Sequence, residues 1–258
     1  MIIILLPAYN EVPGIEQLLG RIGEVLNHDG YRIVVVNDGS TNGTKEIIAK
    51  CSERQPITLL NHRVNLGLGK AMETGILYTC SHFKDNDILV TMDADSTHDP
   101  WMIKEMVQKV DHGADMVIGS RFVEKGAEIG VPLYRRLLSR AVKILFRVIF
   151  PGVKVRDYTS GYRVYRVSLL KKALKIHRPL VKSRGFAVMA ELLLKLNYLK
   201  PVVIEVPLVL HYDHKASKSK IKILSTVIEY GKMIVNLKGE KILGYWRVDN
   251  LGNIYSRH

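Results

Sequence analysis

The sequence predicts an α/β fold, in which a mostly parallel sheet carries helices on both faces. Over the first 120 residues, short apolar runs of strand length alternate with amphipathic runs of helix length. Strands that helices cover on both faces are apolar throughout, as these runs are. Polar loops follow three of the predicted strands, at residues 7–11, 37–40 and 93–95. Since the carboxyl ends of parallel strands meet at one edge, these loops predict a nucleotide-sized site there.

The elements of the first half follow from the period of their apolar residues. The predicted strands, each an apolar run, are 2–6, 32–36, 57–60, 88–92 and 115–118. The predicted helices are 15–26, 41–51, 69–79 and 100–110. Their strict alternation predicts that neighbouring strands run parallel.

After about residue 131 the pattern changes. The predicted elements are a helix at 133–150, a polar loop and short strand at 157–166, a helix at 186–196, a strand at 202–210 and a helix at 221–237. No repeat or low-complexity linker separates them from the first half. We therefore expect one domain over residues 1–237, in which the second half elaborates the site, and a tail at 238–258.

The chain carries an excess of positive charge. Its 38 Lys and Arg residues outnumber 25 Asp and Glu residues, which gives a net charge of +13. Such an excess favours phosphorylated substrates, anionic membranes or nucleic acid as partners. We expect no nucleic acid, because the basic residues are not interleaved with stacking aromatic residues and no recognition motif is present.

The cysteines and the apolar runs predict a cytoplasmic protein. Cys51 and Cys80 lack the spacing of metal or redox motifs, so they are expected to be reduced thiols. The run at 2–6 has no preceding basic residues and meets Pro7 too early for a signal peptide. No run approaches the ~18 apolar residues of a membrane span, so the chain is expected not to cross a membrane.

Two carboxylates, Asp93 and Asp95, follow the predicted strand at 88–92. Mg²⁺ is commonly held by one or two carboxylates together with substrate phosphates. Two interpretations remain open: a site for a divalent cation that carries a phosphorylated ligand, or a strand that runs into an acidic turn.

The turn at 37–41 also has two interpretations. Ser40 or Thr41 would cap the following helix, or Asp38 would accept a hydrogen bond from a nucleobase or a ribose. The glycine-rich turn at 65–70 suits an anion, but it matches neither of the common phosphate-binding motifs.

Several motifs occur in a fixed order along the chain. They are Pro7-Ala8-Tyr9-Asn10-Glu11, Asn37-Asp38-Gly39-Ser40, Asn65-Leu66-Gly67-Leu68-Gly69, Asp93-Ala94-Asp95 and Gly119-Ser120-Arg121-Phe122. In this order and spacing they resemble family 2 glycosyltransferases of the Rossmann-like GT-A fold. The stretches 135–140 and 157–163, and Gly185-Phe186 with Glu191, most resemble the members that transfer mannose or glucose to dolichol phosphate. The resemblance covers about residues 2–225.

The resemblance implies a role for each matched residue. Residues 1–120 would bind a nucleotide sugar, and residues 121–237 would bind the acceptor. The implied nucleoside-binding residues are Pro7, Tyr9, Glu11 and Asp38, and the implied diphosphate-binding residues are Asp93 and Ala94. The implied metal site is Asp95 with Thr97, for Mg²⁺ or Mn²⁺, and the implied acceptor-phosphate residues are Arg121, Arg135 and Ser139. Arg121 would also lie beside the donor.

Two positions depart from the family pattern. Thr97 stands where a third metal-site residue is usually Gln, and its shorter hydroxyl would coordinate a metal through water or hold it less tightly. An Arg that contacts the donor phosphates is missing before Ser219-Lys220. His211 and His214 stand there instead, and Lys215 would substitute as a point charge without a bidentate fork.

The implied activity is a metal-dependent, inverting transfer of a hexose from a nucleotide sugar to a polyprenyl or dolichyl phosphate. GDP-mannose is the favoured donor and UDP-glucose the next. A phosphate acceptor is already an anion near neutral pH, so it needs little or no general base. One alternative is a hydroxyl acceptor on a glycan, with Asp157 or Glu191 as base, and another is a nucleotide-sugar-binding protein without turnover.

The predicted helix at 133–150 has a basic face and an apolar face. The basic residues are Arg136, Arg140, Lys143 and Arg147, and the apolar ones are Leu137, Leu138, Ala141, Val142, Leu145 and Val148. One interpretation is a core helix with a solvated basic face. The other places this helix, with Lys215, Lys218, Lys220 and Lys222, on an anionic membrane at its cytoplasmic face.

Overall fold

A seven-stranded mixed sheet organises the protein. The computed structural model describes residues 1–214, 223–242, 247–248 and 254–255. The strands are β1 (Ile2–Ala8), β2 (Tyr31–Asp38), β3 (Ile57–His62), β4 (Ile88–Thr91), β5 (Met116–Ser120), β6 (Ala127–Ile129), β7 (Arg163–Arg166), β8 (Val203–Pro207), β9 (Val209–His211), β10 (Arg247–Val248) and β11 (Ile254–Tyr255). The helices are α1 (Ile15–Leu26), α2 (Thr44–Ser52), α3 (Leu68–His82), α4 (Met102–Asp111), α5 (Leu133–Ile149), α6 (Val167–Ile176), α7 (Val188–Asn197) and α8 (Ile223–Ile242).

The strand order of the main sheet is β3-β2-β1-β4-β7-β5-β8. Every neighbouring pair is parallel except those of β7, which runs antiparallel to both β4 and β5. The mostly parallel, helix-covered sheet confirms the predicted fold class. In the antiparallel register Arg163, the first residue of β7, pairs with Thr91 and Ile118. The chain before β7 therefore lies at the carboxyl edge of the parallel strands.

Hydrophobic residues cover both faces of the sheet, which explains why its central strands are wholly apolar. Along β1, Ile3 and Leu5 join one core cluster while Ile4 and Leu6 join the other, and all four are fully buried. Helices α1, α2 and α4 pack on one face, and α3 and α5 to α8 contribute to the cluster on the other. Side chains alternate between faces along a strand, so a strand with two buried faces needs an apolar residue at each position.

Several predicted bounds were wrong for local reasons. Helix α2 begins three residues later than predicted, because Gly43 takes a left-handed conformation with φ 82° at its N-cap. Neither Ser40 nor Thr41 caps this helix: Ser40 Oγ accepts a hydrogen bond from the Asn10 N–H at 2.9 Å. The single strand predicted at 202–210 divides in two, and β9 leaves the main sheet to pair in parallel with β6.

Four elements and the end of a fifth were not predicted. Strand β6 and helix α6 were missed, as was the two-stranded antiparallel pair of β10 and β11. Helix α8 continues past residue 237, the predicted end of the domain. Residues 215–222 and 243–246 lie outside the described part of the chain, and with them the predicted lysine cluster and the Lys215 substitution.

No helix in the described part of the chain is both long enough and apolar enough to cross a membrane. Helix α5 is the element most relevant to a membrane surface, because much of its apolar surface is exposed. Only Val142 and Phe146 of its side chains are buried. Most of the predicted apolar face of α5 is therefore exposed and does not pack into the core.

The loop at 182–185 packs directly on the glycine-rich turn at the start of α3. The Gly69 N–H donates to the Arg184 carbonyl oxygen at 2.8 Å. Glu191 of α7 fixes the other side of the loop, because its carboxylate accepts the N–H groups of Lys182 and Ser183. This contact leaves no room for a side chain at residue 69.

Gly69→Ala is expected to lower the free energy of unfolding by about 1–3 kcal/mol. A Cβ at residue 69 would overlap the Ser183 carbonyl oxygen, a backbone atom that cannot rotate away. Gly20→Ala is the matched control, since a Cβ there meets nothing within 4 Å in the middle of α1. It is expected to stabilise the protein by about 0.5–1 kcal/mol. Denaturant unfolding measures both, and equal effects would contradict the close contact at residue 69.

Candidate active site

A cavity of about 870 Å³ opens at the carboxyl edge of the sheet. The loops that follow β1, β2 and β4 form one side, and helices α5 and α8 contribute to the other. The cavity brings together all of the predicted site residues: Pro7, Tyr9, Glu11, Asp38, Asp93, Ala94, Asp95, Thr97, Arg121, Arg135 and Ser139. Its size is that of a ligand-binding cleft. Arg136 and Arg140, the other arginines of the stretch at 135–140, are not among the cavity-lining residues, and Arg140 is exposed.

Asp38 fixes the glycine-rich turn. Its Oδ1 accepts the Leu66 N–H at 2.9 Å and its Oδ2 accepts the Gly67 N–H at 2.8 Å. His62, its partner in the register of β2 and β3, approaches Oδ1 through Nδ1 at 2.6 Å. A carboxylate offers about four acceptor positions, and the chain itself fills three of them. One position remains for a hydrogen bond to a bound ligand.

The loops after β1 and β2 are tied to each other by hydrogen bonds. Asn10, which has a φ of 55°, accepts the Thr41 N–H through Oδ1 at 2.8 Å. The Glu11 N–H donates to Thr44 Oγ1 at 3.0 Å. These bonds hold Glu11, which is buried, at the cavity wall.

Asp93 and Asp95 have different surroundings. The Asp93 side chain is 38% exposed, and its N–H donates to His98 Nδ1 at 3.0 Å. Asp95 is buried, and its Oδ1 accepts the Thr97 N–H at 3.2 Å and the Thr97 hydroxyl at 2.7 Å. Burial and the nearby Arg121 charge lower the pKa of His98 to about 3, so His98 is neutral and Nδ1 accepts.

These carboxylates fit a metal shared with a phosphorylated ligand. Within the described ranges no group of three or more His, Cys, Asp or Glu side chains is arranged to hold a metal alone. Mg²⁺ rarely needs such a cage, because it retains waters and substrate phosphates beside one or two carboxylates. Thr97 donates to Asp95 and so orients the carboxylate, which is a role that the sequence alone did not predict.

Arg121 is held by a buried carboxylate. Its Nε and Nη2 each donate to an Asp157 oxygen at 2.8 Å, and Nη2 also donates to Thr159 Oγ1. Glu128 accepts from Nη1 at 3.2 Å. Burial would raise the pKa of Asp157, but the charge and hydrogen bonds of Arg121 outweigh burial and lower it to about 2. Burial alone would lower the pKa of Arg121, but the charge of Asp157 outweighs burial and raises it.

The other two residues predicted to bind the acceptor, Arg135 and Ser139, lie on helix α5. Arg135 donates from Nη1 to the Tyr212 hydroxyl at 3.0 Å, and its guanidinium lies 5.4 Å from the centre of the Tyr212 ring. The Ser139 Oγ is buried and has no hydrogen-bond partner in the part of the chain that the structure describes. A buried hydroxyl without a partner is costly, so this atom is suited to a ligand.

The two candidate bases have structural contacts instead. Asp157 is fully buried and binds Arg121, with a pKa far below neutrality. Glu191 is buried, accepts from Lys195 Nζ at 2.6 Å and is not one of the cavity-lining residues. Neither is placed to take a proton from a hydroxyl acceptor. His211 Nδ1 lies 3.5 Å from Asp213 Oδ1.

The cavity also contains residues that sequence reasoning missed: His98, Glu128, Arg184, Tyr212, Glu229 and Tyr230. His98 and Arg184 had a weak signal, since they adjoin stretches that carry the family resemblance. The other four stand in no motif. They reach the cavity through β6, the turn after β9, and α8.

Comparison with known sequences points to one family. The family profile described as "Glycosyl transferase family 2" matches residues 3–174. The dolichol-phosphate mannosyltransferase of Pyrococcus furiosus is 31% identical over 237 residues, which are 91% of this chain and 62% of that protein. The polyprenol monophosphomannose synthase of Mycolicibacterium smegmatis is 31% identical over 208 residues, which are 80% of this chain and 76% of that protein. This chain thus spans less than two thirds of the length of the Pyrococcus furiosus relative.

Comparison with solved structures supports the fold. The glucosyl-3-phosphoglycerate synthase of Mycobacterium tuberculosis, in complex with Mn²⁺, UDP-glucose and phosphoglyceric acid, superposes with a TM-score of 0.66. The two chains are 18% identical, and the match covers 93% of this chain and 80% of that one. At this identity the likeness concerns the GT-A-like fold alone.

Asp157→Asn is expected to change how stability depends on pH. The pKa of Asp157 is depressed in the folded protein, so its ionised form stabilises the fold above about pH 4, and this contribution is lost as the pH falls towards 2. The difference in unfolding free energy between wild type and Asp157→Asn should shrink by about 2 kcal/mol over that range.

Denaturant unfolding from pH 5 to pH 2 measures this difference. Asp85→Asn is the control, because its carboxylate is exposed and pairs with Lys171 at the surface, where a smaller effect is expected. A difference for Asp157→Asn that stayed constant across the range would contradict the buried ion pair.

Proposed function

Because the chain belongs to glycosyl transferase family 2, we propose that it transfers a hexose from a nucleotide sugar to a polyprenyl phosphate. The observation that carries this proposal is one cavity lined both by carboxylates and by groups that can donate hydrogen bonds to a phosphate. Asp93 and Asp95 form the first set, and Arg121, Arg135 and Ser139 form the second. The names of the relatives, which specify dolichol phosphate and polyprenol, support a lipid phosphate as the acceptor.

On the donor side, the nucleoside would lie between the first two loops and the glycine-rich turn. Pro7, Tyr9 and Glu11 line this region, and the remaining acceptor position of Asp38 would receive an N–H or hydroxyl of the nucleoside. Fixing the turn beforehand means that its ordering entropy is not lost when the donor binds. GDP-mannose is the favoured donor, since the relatives are named for mannose, and UDP-glucose is the next.

Asp95 would hold a divalent metal, Mg²⁺ or Mn²⁺, with Asp93 and Ala94 beside the diphosphate. When bound, such an ion neutralises charge on the leaving diphosphate as a Lewis acid. Thr97 donates two hydrogen bonds to the same Asp95 oxygen, so the carboxylate is oriented before any ligand arrives. The structural relative from Mycobacterium tuberculosis was solved in complex with Mn²⁺ and UDP-glucose, which supports a divalent cation as the companion of a nucleotide sugar.

On the acceptor side, a phosphate monoester would bind opposite the leaving group. Its second pKa is about 6, so near pH 7 it is largely a dianion and attacks without a general base. The structural roles of Asp157 and Glu191 agree with such an acceptor. Attack in line with the departing diphosphate would invert the configuration of the anomeric carbon. Arg121, Arg135 and Ser139 would orient the phosphate for this attack.

A membrane surface would supply the lipid acceptor, and α5 is the element suited to contact it. Its exposed apolar side chains include Leu133, Tyr134, Leu137, Ile144, Leu145 and Val148, with exposures between 44% and 74%. Arg140 and Arg147 are exposed on the same helix. Apolar and basic residues exposed together on one helix favour shallow binding to an anionic lipid surface. We place the protein at the cytoplasmic face of a membrane on this basis.

The transfer reaction tests the proposal. Purified protein, radiolabelled GDP- and UDP-sugars and polyprenyl phosphate should yield a labelled lipid with Mg²⁺ or Mn²⁺, most efficiently from GDP-mannose. Asp95→Asn should lower kcat by about 10²–10³-fold, because it removes the charge that holds the metal. Asp111→Asn, the same change at the exposed end of α4, should leave the rate unchanged. If no donor gives a lipid product, the proposed function is wrong.

Vesicle binding tests the membrane contact. The protein should sediment with phosphatidylglycerol vesicles at low salt and much less with phosphatidylcholine vesicles. The double variant Ile144→Gln with Val148→Gln should bind at least about tenfold more weakly, since burial of each apolar side chain contributes about 1.5–3 kcal/mol. Leu77→Gln, on an exposed position of α3, is the control. Unchanged binding by the double variant would contradict this use of α5.

A further inference from the structure

Helix α8 contributes a tyrosine to the acceptor side of the cavity. Tyr230 lines the cavity, although its side chain is only 6% exposed. Its ring packs edge-on against Phe146 of α5, with the ring centres 5.4 Å apart at an angle of 80°. This packing holds the ring of a residue that also lines the cavity.

The hydroxyl of Tyr230 has no hydrogen-bond partner among the residues that the structure describes. Tyr158 provides a direct comparison, because its ring also lies 5.4 Å from that of Phe146. The Tyr158 hydroxyl donates to the Val153 carbonyl oxygen at 3.0 Å. A buried tyrosine usually finds such a partner, so the unpaired hydroxyl of Tyr230 is suited to a ligand.

Tyr230 shares its surroundings with Arg121 and with the carboxylates of Asp157 and Glu229. Arg121 and Asp157 are the two charges that act most strongly on its hydroxyl. Burial raises the pKa of Tyr230 to about 12, so near neutral pH the group is a hydroxyl that can donate. Ser139 presents a second unpaired hydroxyl to the same cavity.

We propose that Tyr230 donates a hydrogen bond to the phosphate of the acceptor, as a binding residue beside Arg121, Arg135 and Ser139. This inference rests on the proposed function, since it concerns the acceptor of that reaction. The hydroxyl then gains a partner that the described residues do not give it. A phosphate oxygen is a charged acceptor, and hydrogen bonds to charged groups are the stronger ones.

Tyr230→Phe tests this role, because it keeps the ring that packs on Phe146 and removes only the hydroxyl. The KM for polyprenyl phosphate should rise about tenfold or more, while the KM for the nucleotide sugar changes less than about twofold. The melting temperature should not fall. Tyr158→Phe is the matched control: it should lower the melting temperature and leave the acceptor KM unchanged. An acceptor KM that Tyr230→Phe leaves unchanged overturns the inference.

Direct binding separates this inference from the proposed function. Calorimetry would compare farnesyl phosphate with farnesol on wild type and on Tyr230→Phe. The wild type should bind farnesyl phosphate more tightly than farnesol, and this preference should weaken about tenfold in Tyr230→Phe. That result supports the inference even if no sugar is transferred. In that case only the proposed transfer is wrong. Equal affinities of the wild type and the variant for farnesyl phosphate overturn the inference even if transfer occurs.

Discussion

The buried contact between Arg121 and Asp157 is the interaction on which the site depends. It exists because β7 runs antiparallel between β4 and β5, so that the loop before β7 returns to the carboxyl edge of the parallel strands. Asp157 is fixed in that loop by its own N–H, which donates to Glu205 at 2.9 Å, and by the N–H groups of Thr159 and Ser160. A buried guanidinium needs such a partner, because an unpaired charge in a protein interior is strongly unfavourable.

This pairing changes how the acceptor side of the cavity works. Arg121 lies between two carboxylates, those of Asp157 and Glu128, so it adds little net positive charge to the cavity. Under the proposed function, Arg121 would give a bound phosphate hydrogen bonds in a fixed direction, and Arg135 would supply the longer-range attraction. Neutral donors such as Ser139 and Tyr230 then matter more than the overall charge of +13 suggests.

The sequence predicted what depends on local pattern. The apolar run of β1 shows that both faces of the sheet are covered, and the loops after β1, β2 and β4 place eight of the eleven predicted site residues in one cavity. It did not predict what depends on packing between distant segments. Asp157 pairs with Arg121, 36 residues away, because of the direction in which β7 runs. The sequence of a four-residue strand does not reveal its direction in the sheet. The unpaired hydroxyl of Tyr230 likewise becomes apparent only when α8 is packed against α5.

Helix α5 joins the two environments that a lipid phosphate requires. Arg135, Leu138, Ser139 and Val142 line the cavity, while Ile144 and Val148, further along the helix, are exposed. Leu138 and Val142 are apolar, so the cavity wall on this helix is suited to a hydrocarbon chain as well as to a phosphate. Under the proposed function, the charged head of the acceptor would leave the lipid surface only as far as Arg135. Because cavity-lining residues and exposed apolar residues share this one helix of about 25 Å, the phosphate and the hydrocarbon chain of the acceptor would contact the same element.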